Sequence, residues 1–249
     1  MKTLYVDLEN GYKSLGSKED IQASFGYHPL SFETFSDFGG FIRQIWSRKK
    51  ISRQINIDGI DVMQESYEVI AKEGTKVECL VVDTASEMCK KYVRELKGKN
   101  DSLKLQQWGK LKDVMDNFFS FSNSIPCNVI MNCHTKTEQD NENGIIRMLP
   151  YLEGSTRIDV GKWFDFVFYT RIAKKKNGDK KYMWVTRRDE QYCQAKDRTN
   201  TLDSEIEQDY SIVLDAVKKK GWDNAKVMII GEPGSGKTLS LSTLNRKAA

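Results

Sequence analysis

The chain has 249 residues, longer than most single domains but within reach of one α/β domain with long loops, so one core is expected over 1–249. Lys and Arg number 39 against 35 Asp and Glu, a net charge of +4 that permits a polyanionic partner without requiring one. Cys79, Cys89, Cys127, Cys133 and Cys193 form no C-x-x-C pair, only His28 and His134 accompany them, and no apolar run approaches a membrane span; a disulfide framework, a zinc site and membrane contact are not expected, and a soluble cytoplasmic protein is.

Leu4 to Leu8 reads as a buried strand whose exit carries acids, with Glu9-Asn10-Gly11 as the turn. Tyr12 to Phe38 has no clear period. Phe41 to Trp46 and Val62 to Ala71 read as helical, and Val77 to Asp83 as a second buried strand. Leu105, Trp108, Leu111, Met115, Phe118 and Ser122 recur at spacings of three and four, predicting an amphipathic helix from about Leu103 to Ser122. Asn128 to Cys133 is a third strand, and a long polar connection from Thr135 to Gly161 leads to Phe164–Thr170. Asn177-Gly178, between Val167–Ile172 and Tyr182–Thr186, predicts a hairpin. Ile206 to Lys220 reads as a helix ending near Gly221, and Lys226 to Ile230 as a last strand. Strands alternating with helices predict an α/β fold with a mostly parallel sheet and an added antiparallel hairpin.

That last strand runs into Gly231-Glu232-Pro233-Gly234-Ser235-Gly236-Lys237-Thr238, which fits G-x-x-x-x-G-K-[ST] and opens a helix at Leu239–Leu244. Glycines let successive backbone N–H groups turn inward around the β-phosphate of ATP, Lys237 reaches the β- and γ-oxygens, and Thr238 ligates Mg²⁺. The competing reading is an ordinary glycine turn. Asp83, at a strand end, suits the second Mg²⁺ acid; otherwise it caps the next helix. Glu9 could orient or deprotonate the attacking water, or be a solvated turn acid. His134 would project above the same sheet edge to sense the γ-phosphate, or be structural.

At these residues the chain resembles the RecA-superfamily ATPases, and among them the small phage ATPases associated with single-strand annealing and recombination. The resemblance covers most of the chain and rests on GEPGSGKT at 231–238, LYVDLENG at 4–11, LVVDTASEM at 80–88, QQWGKL at 106–111, VIMNCH at 129–134, FDFVFY at 164–169 and AKDR at 195–198. It implies a RecA-like P-loop core in which Glu9 is the catalytic base, Asp83 serves Mg²⁺, and His134 couples the γ-phosphate to the following loop. It further implies that Lys196 and Arg198 contact ATP bound to a neighbouring subunit, and hence a homo-oligomer. Lys136, Arg147, Arg157 and Lys162 fall in or just after the segment where such proteins present a DNA-binding loop, and Tyr151 and Trp163 could stack on bases of single-stranded DNA. Glu138, Asp140, Glu142 and Glu153 weaken that electrostatic case, and the competing reading is a solvated loop.

The order departs from the family: the P-loop comes last, while the strand expected to follow it stands first. Joining Lys226–Ala249 to Met1–Leu8 restores a βαβ unit of roughly 30 residues, so the chain reads as circularly permuted, with Tyr210–Ala225 bridging the former ends and Met1 near Ala249. The alternative is a truncated tandem. Two functions compete with DNA-directed ATP hydrolysis: a nucleotide-switched protein-interaction module, and a helicase-like motor, disfavoured for want of a second loading domain.

Overall fold

The computed structural model describes residues 1–140, 144–174 and 178–245. Asn177, Glu142 and Ala249 lie outside the described residues, as does the side chain of Asp140. In chain order the elements are β1 (Thr3–Asp7), α1 (Lys18–Phe25), α2 (Phe35–Ile45), β2 (Trp46–Ile57), β3 (Ile60–Ala71), β4 (Cys79–Asp83), α3 (Ala85–Lys97) and α4 (Leu105–Ser124). There follow β5 (Asn128–Asp140), β6 (Ile145–Pro150), α5 (Thr156–Asp159), β7 (Phe166–Lys174), β8 (Lys180–Val185), β9 (Lys196–Asp197), β10 (Glu205–Glu207), α6 (Tyr210–Lys219), β11 (Lys226–Gly231) and α7 (Lys237–Ser240).

The central sheet has the order β1-β4-β5-β11-β7-β8-β10. Its first five strands are parallel, and β8 and β10 continue it antiparallel. The last strand in sequence therefore stands between β5 and β7, in the same sheet as β1 and β4. Strand side chains alternate between faces, which gives two cores. Leu4, Val6, Leu80, Val82, Val129, Met131, Met228 and Ile230 pack with α2, α3 and α4 on one side. Tyr5, Val81, Ile130, Phe168, Val227 and Ile229 pack with α1, α6 and Leu241 on the other. With both faces covered, the parallel strands read as unbroken apolar runs.

Four expectations need correction. Val62–Ala71 is strand, paired along its whole length with β2 through a two-residue turn, Asp58 and Gly59, at φ 51° and 88°. Asp-Gly between apolar residues is a strong hairpin signal, and it outweighs the three-four spacing that suggested a helix. The polar connection after His134 is no open loop: β5 runs on to Asp140 and pairs with β6. Residues 205–207 form a strand on β8, and the helix expected from Ile206 starts only at Tyr210, where the Asp209 side chain accepts from Ser211 N at 2.8 Å. In α4, Leu105 and Trp108 stay exposed, so the buried stripe starts at Leu111. The hairpin β7–β8 forms as expected. Among the described residues no helix is long and apolar enough to cross a membrane.

Candidate nucleotide site

The carboxyl ends of β1, β4 and β11 lie side by side with the middle of β5, where His134 is level with Gly231, and each strand supplies part of one site. Asp7 closes β1 and organises the turn beyond it, accepting hydrogen bonds from the backbone N–H of Glu9 (3.1 Å), Gly11 (3.0 Å) and Tyr12 (2.8 Å). Asp7 is thus the turn acid, and Glu9 is turned toward its neighbours. At the end of β4, Thr84 caps α3 by accepting from Glu87 N at 3.2 Å, which releases Asp83 from that duty. The Thr84 hydroxyl donates to Glu9 Oε1 at 2.8 Å. His134, in β5, brings Nε2 to 2.9 and 3.0 Å from the two Glu9 oxygens, and its own backbone N–H donates to Ser86 Oγ in α3.

Gly231 to Thr238 runs from β11 into α7. At Gly231 a Cβ would stand 1.7 Å from Thr170 Oγ1 of β7, so only glycine lets the two strands approach there. Gly236 has φ 92°, and a Cβ on it would meet Gln208 Oε1 at 2.5 Å and Tyr182 at 3.0 Å. Gln208 in turn donates to Ser235 O at 3.0 Å and Met183 O at 3.1 Å, tying the loop to β8. Lys237 Nζ donates to the carbonyls of Gly231 and Glu232, both at 2.8 Å, which folds the ammonium over the loop. Thr238 Oγ1 donates to Asp83 Oδ2 at 2.7 Å, and the Tyr5 hydroxyl donates to the same oxygen at 3.0 Å. Glu9, Asp83, Thr84, His134, Lys237 and Thr238 all line one cleft of about 370 Å³.

Burial sets the ionisation of these groups. It pushes the Asp83 carboxyl up, against hydrogen bonds from Thr238 and Tyr5, and pushes the Lys237 ammonium down, against the attraction of Asp83. Burial would raise Glu9 as well, but the hydrogen bonds from His134 and Thr84 outweigh it and hold the carboxyl below its ordinary range. Glu9 is therefore ionised near neutrality. The hydroxyl of Thr238 and the carboxylate of Asp83 are hard oxygen donors, and together they fit Mg²⁺.

The other sequence candidates lie apart from this cleft. Lys136 and Arg147 are exposed on the β5–β6 hairpin, Arg147 facing Glu138 across the pair, and Arg157 binds Glu138 at 2.9 Å. Lys162 lies over the Trp163 ring at 5.0 Å. Lys196 Nζ donates to Gly161 O at 2.6 Å, and Arg198 holds Asp165 at 3.0 Å and Lys162 O at 3.2 Å. The short β9 that carries Lys196 pairs with Phe166 and Val167, at the amino end of β7, whereas the P-loop follows the carboxyl end of the adjacent β11. Sequence reading passed over Tyr5, Ser86 and Gln208. The spacing Thr84-x-x-Glu87 is a helix-start signal that could have assigned Thr84 to capping and freed Asp83.

An α/β sheet of mainly parallel strands with the P-loop at the carboxyl end of a central strand defines a nucleotide-binding domain of the P-loop NTPase type. The family model described as an AAA domain matches residues 1–199, and the chain belongs to that family. The P-loop at 231–238 lies beyond the matched residues. No curated protein and no solved structure matches the chain.

Proposed function

We propose that this chain is a Mg²⁺-dependent ATPase of the RecA-like kind, circularly permuted, which assembles with copies of itself on single-stranded DNA in phage-type recombination or annealing. The observation that carries the ATPase reading is the meeting of Lys237, Thr238, Asp83 and Glu9 in one cleft, from three strand ends far apart in sequence. Lys237 neutralises charge that develops on the γ-phosphoryl oxygens. Thr238 and Asp83 hold Mg²⁺, which when bound adds charge neutralisation at the phosphates. Glu9 orients the attacking water and accepts its proton, and His134 holds the Glu9 carboxylate in place. The permutation is supported by a P-loop strand that comes last in sequence yet stands mid-sheet, between β5 and β7.

DNA binding is supported by Lys136 and Arg147 on the hairpin that continues directly from His134, so that one strand joins the nucleotide cleft to the basic arm. Assembly is supported by Lys196 and Arg198, which stand at the wrong end of the sheet to serve their own P-loop. One observation favours the other reading, a nucleotide-switched module for a protein partner: Glu138 lies between Arg147 and Arg157 and offsets their charge. ATP turnover and labelled single-strand binding at two salt concentrations, with Lys237→Ala as the blank, test both. Steeply salt-dependent binding supports the DNA reading; turnover without it leaves the protein-interaction module, and unchanged turnover in Lys237→Ala overturns the site.

A further inference from the structure

The hairpin β2–β3 takes no part in the nucleotide cleft. It carries two features that fit each other but cannot meet within one chain. At its root lies an apolar groove of about 620 Å³ between α2, α4 and the start of β2, lined by Phe35, Ile42, Trp46, Val114, Phe118 and Phe121. Two exposed arginines, Arg43 and Arg48, also line it; Arg48 lies over the Phe121 ring at 5.7 Å, and neither has a carboxylate partner among the described residues. At the tip, Ile57, Val62, Met63 and Ile60 are 41 to 68% exposed, a cluster of apolar side chains that water does not favour. Asp58 and Asp61 stand among them.

Charges along the stem are paired within the hairpin, Lys50 with Glu65 at 2.7 Å and Arg53 with Glu68. Asp58 has no cation partner among the described residues, and Asp61 accepts only from Asn56, at 2.7 Å. What remains unpaired is negative at the tip and positive at the root. The twelve residues of β2 separate the two by about 37 Å, and pairing at every position from Trp46↔Ala71 to Ile57↔Ile60 keeps the arm from folding back. A two-stranded arm with no layer against it is also at the limit of stability in water.

We propose that the tip of this hairpin docks into the root groove of a second copy, with Ile57 and Ile60 against Phe118 and Phe121 and with Asp58 and Asp61 facing Arg43 and Arg48. The contact gives the self-assembly proposed above its surface, and it does not depend on nucleotide. The test is mass by light scattering over a concentration series, with nucleotide affinity measured on the same samples. Wild type assembles, while Ile60→Asp and the charge variants Asp58→Arg/Asp61→Arg and Arg43→Asp/Arg48→Asp associate at least tenfold more weakly, with unchanged circular dichroism and ATP affinity. A mixture of the two charge variants regains association, because the arginine tip of one meets the acidic groove of the other. A mass of two chains marks a closed pair and a larger mass a series; both are tip-in-groove contacts. Wild-type assembly that persists in all three variants, or a mixture that stays monomeric, overturns the docking while leaving assembly itself standing. A wild type that is monomeric throughout overturns both, and ATP affinity reports on the nucleotide site independently in every case.

Discussion

Glu9 and His134 stand 125 positions apart in the chain and meet at 2.9 Å, joined across β4 by Thr84, whose hydroxyl donates to the same carboxylate. Residues from three adjacent strands thus fix one side chain. Glu9→Gln keeps the shape and loses the ionised acceptor, so ATP affinity is expected to stay within about threefold while turnover falls about 100-fold or more. Equal loss of binding and turnover would make Glu9 a structural residue.

The same contacts have a pH signature. Glu9 is held below its ordinary value of 4.5 in the folded chain, so its stabilising contribution is fully present above that value and is lost as pH falls through the lowered one. The difference in Tm between wild type and Glu9→Gln is expected to shrink as pH falls below about 4.5. A difference that grows below that value would contradict the depressed ionisation.

Tyr5 is fully buried and its hydroxyl donates to Asp83 at 3.0 Å, on the oxygen that Thr238 also reaches. Tyr5→Phe removes a hydrogen bond to a charged group, worth about 1.5–3 kcal/mol. The Asp83 carboxyl, already raised by burial, would rise further. Half-maximal nucleotide binding should then need more Mg²⁺, and the acid limb of the turnover profile should move to higher pH. An unchanged Mg²⁺ requirement would remove Asp83 from the metal site.

The parts legible in the sequence were those whose signal is local. An apolar run ending in Asp83, or one entering Gly231, needs no partner to be recognised, because a strand buried on both faces and a phosphate loop each impose a residue pattern of their own. The hairpin β2–β3 was hidden because Val62, Val69 and Ile70 fall at i, i+7 and i+8, a helical spacing that breaks strand alternation, and only the Asp58-Gly59 turn marks the hairpin. The continuation of β5 past His134 was hidden for another reason: Thr135 to Gln139 has no apolar face, and its strand character comes from pairing with β6. The Glu9–Thr84–His134 cluster depends on sheet order, which no local pattern contains.

Lys226 opens β11, five residues before Gly231, and is buried with Nζ donating to Ile125 O at 2.8 Å, to Cys127 O at 2.6 Å and to Asn224. Burial pulls its ammonium down to about 8. Between that value and its ordinary 10.5 the unfolded chain holds the proton and the folded one does not, so wild-type stability should rise with pH across this window. Lys226→Met leaves two buried carbonyls without their donor and should cost about 2–4 kcal/mol, remove part of that slope, and leave ATP affinity unchanged. A variant as stable as wild type at pH 7 would show that the lysine is dispensable.

Lys196 and Arg198 offer the test of catalysis across a subunit boundary. Both are tied to the segment 161–165 of their own chain, and Lys196 is pulled down to about 8 by burial and by the nearby Arg198 charge. Two crowded cations with one acid, Asp165, between them suit a polyanion that approaches from outside, and the planar guanidinium of Arg198 can meet phosphoryl oxygens in a fork. If they serve a neighbour, turnover per subunit should rise with protein concentration, and Arg198→Ala should lower turnover while ATP affinity at its own P-loop holds. A mixture of Lys237→Ala and Arg198→Ala chains should turn over faster than the two measured separately, because some interfaces then join an intact P-loop to an intact arginine. Activity that is independent of concentration, together with a fully active Arg198→Ala, would confine the two residues to holding residues 161–165 in place.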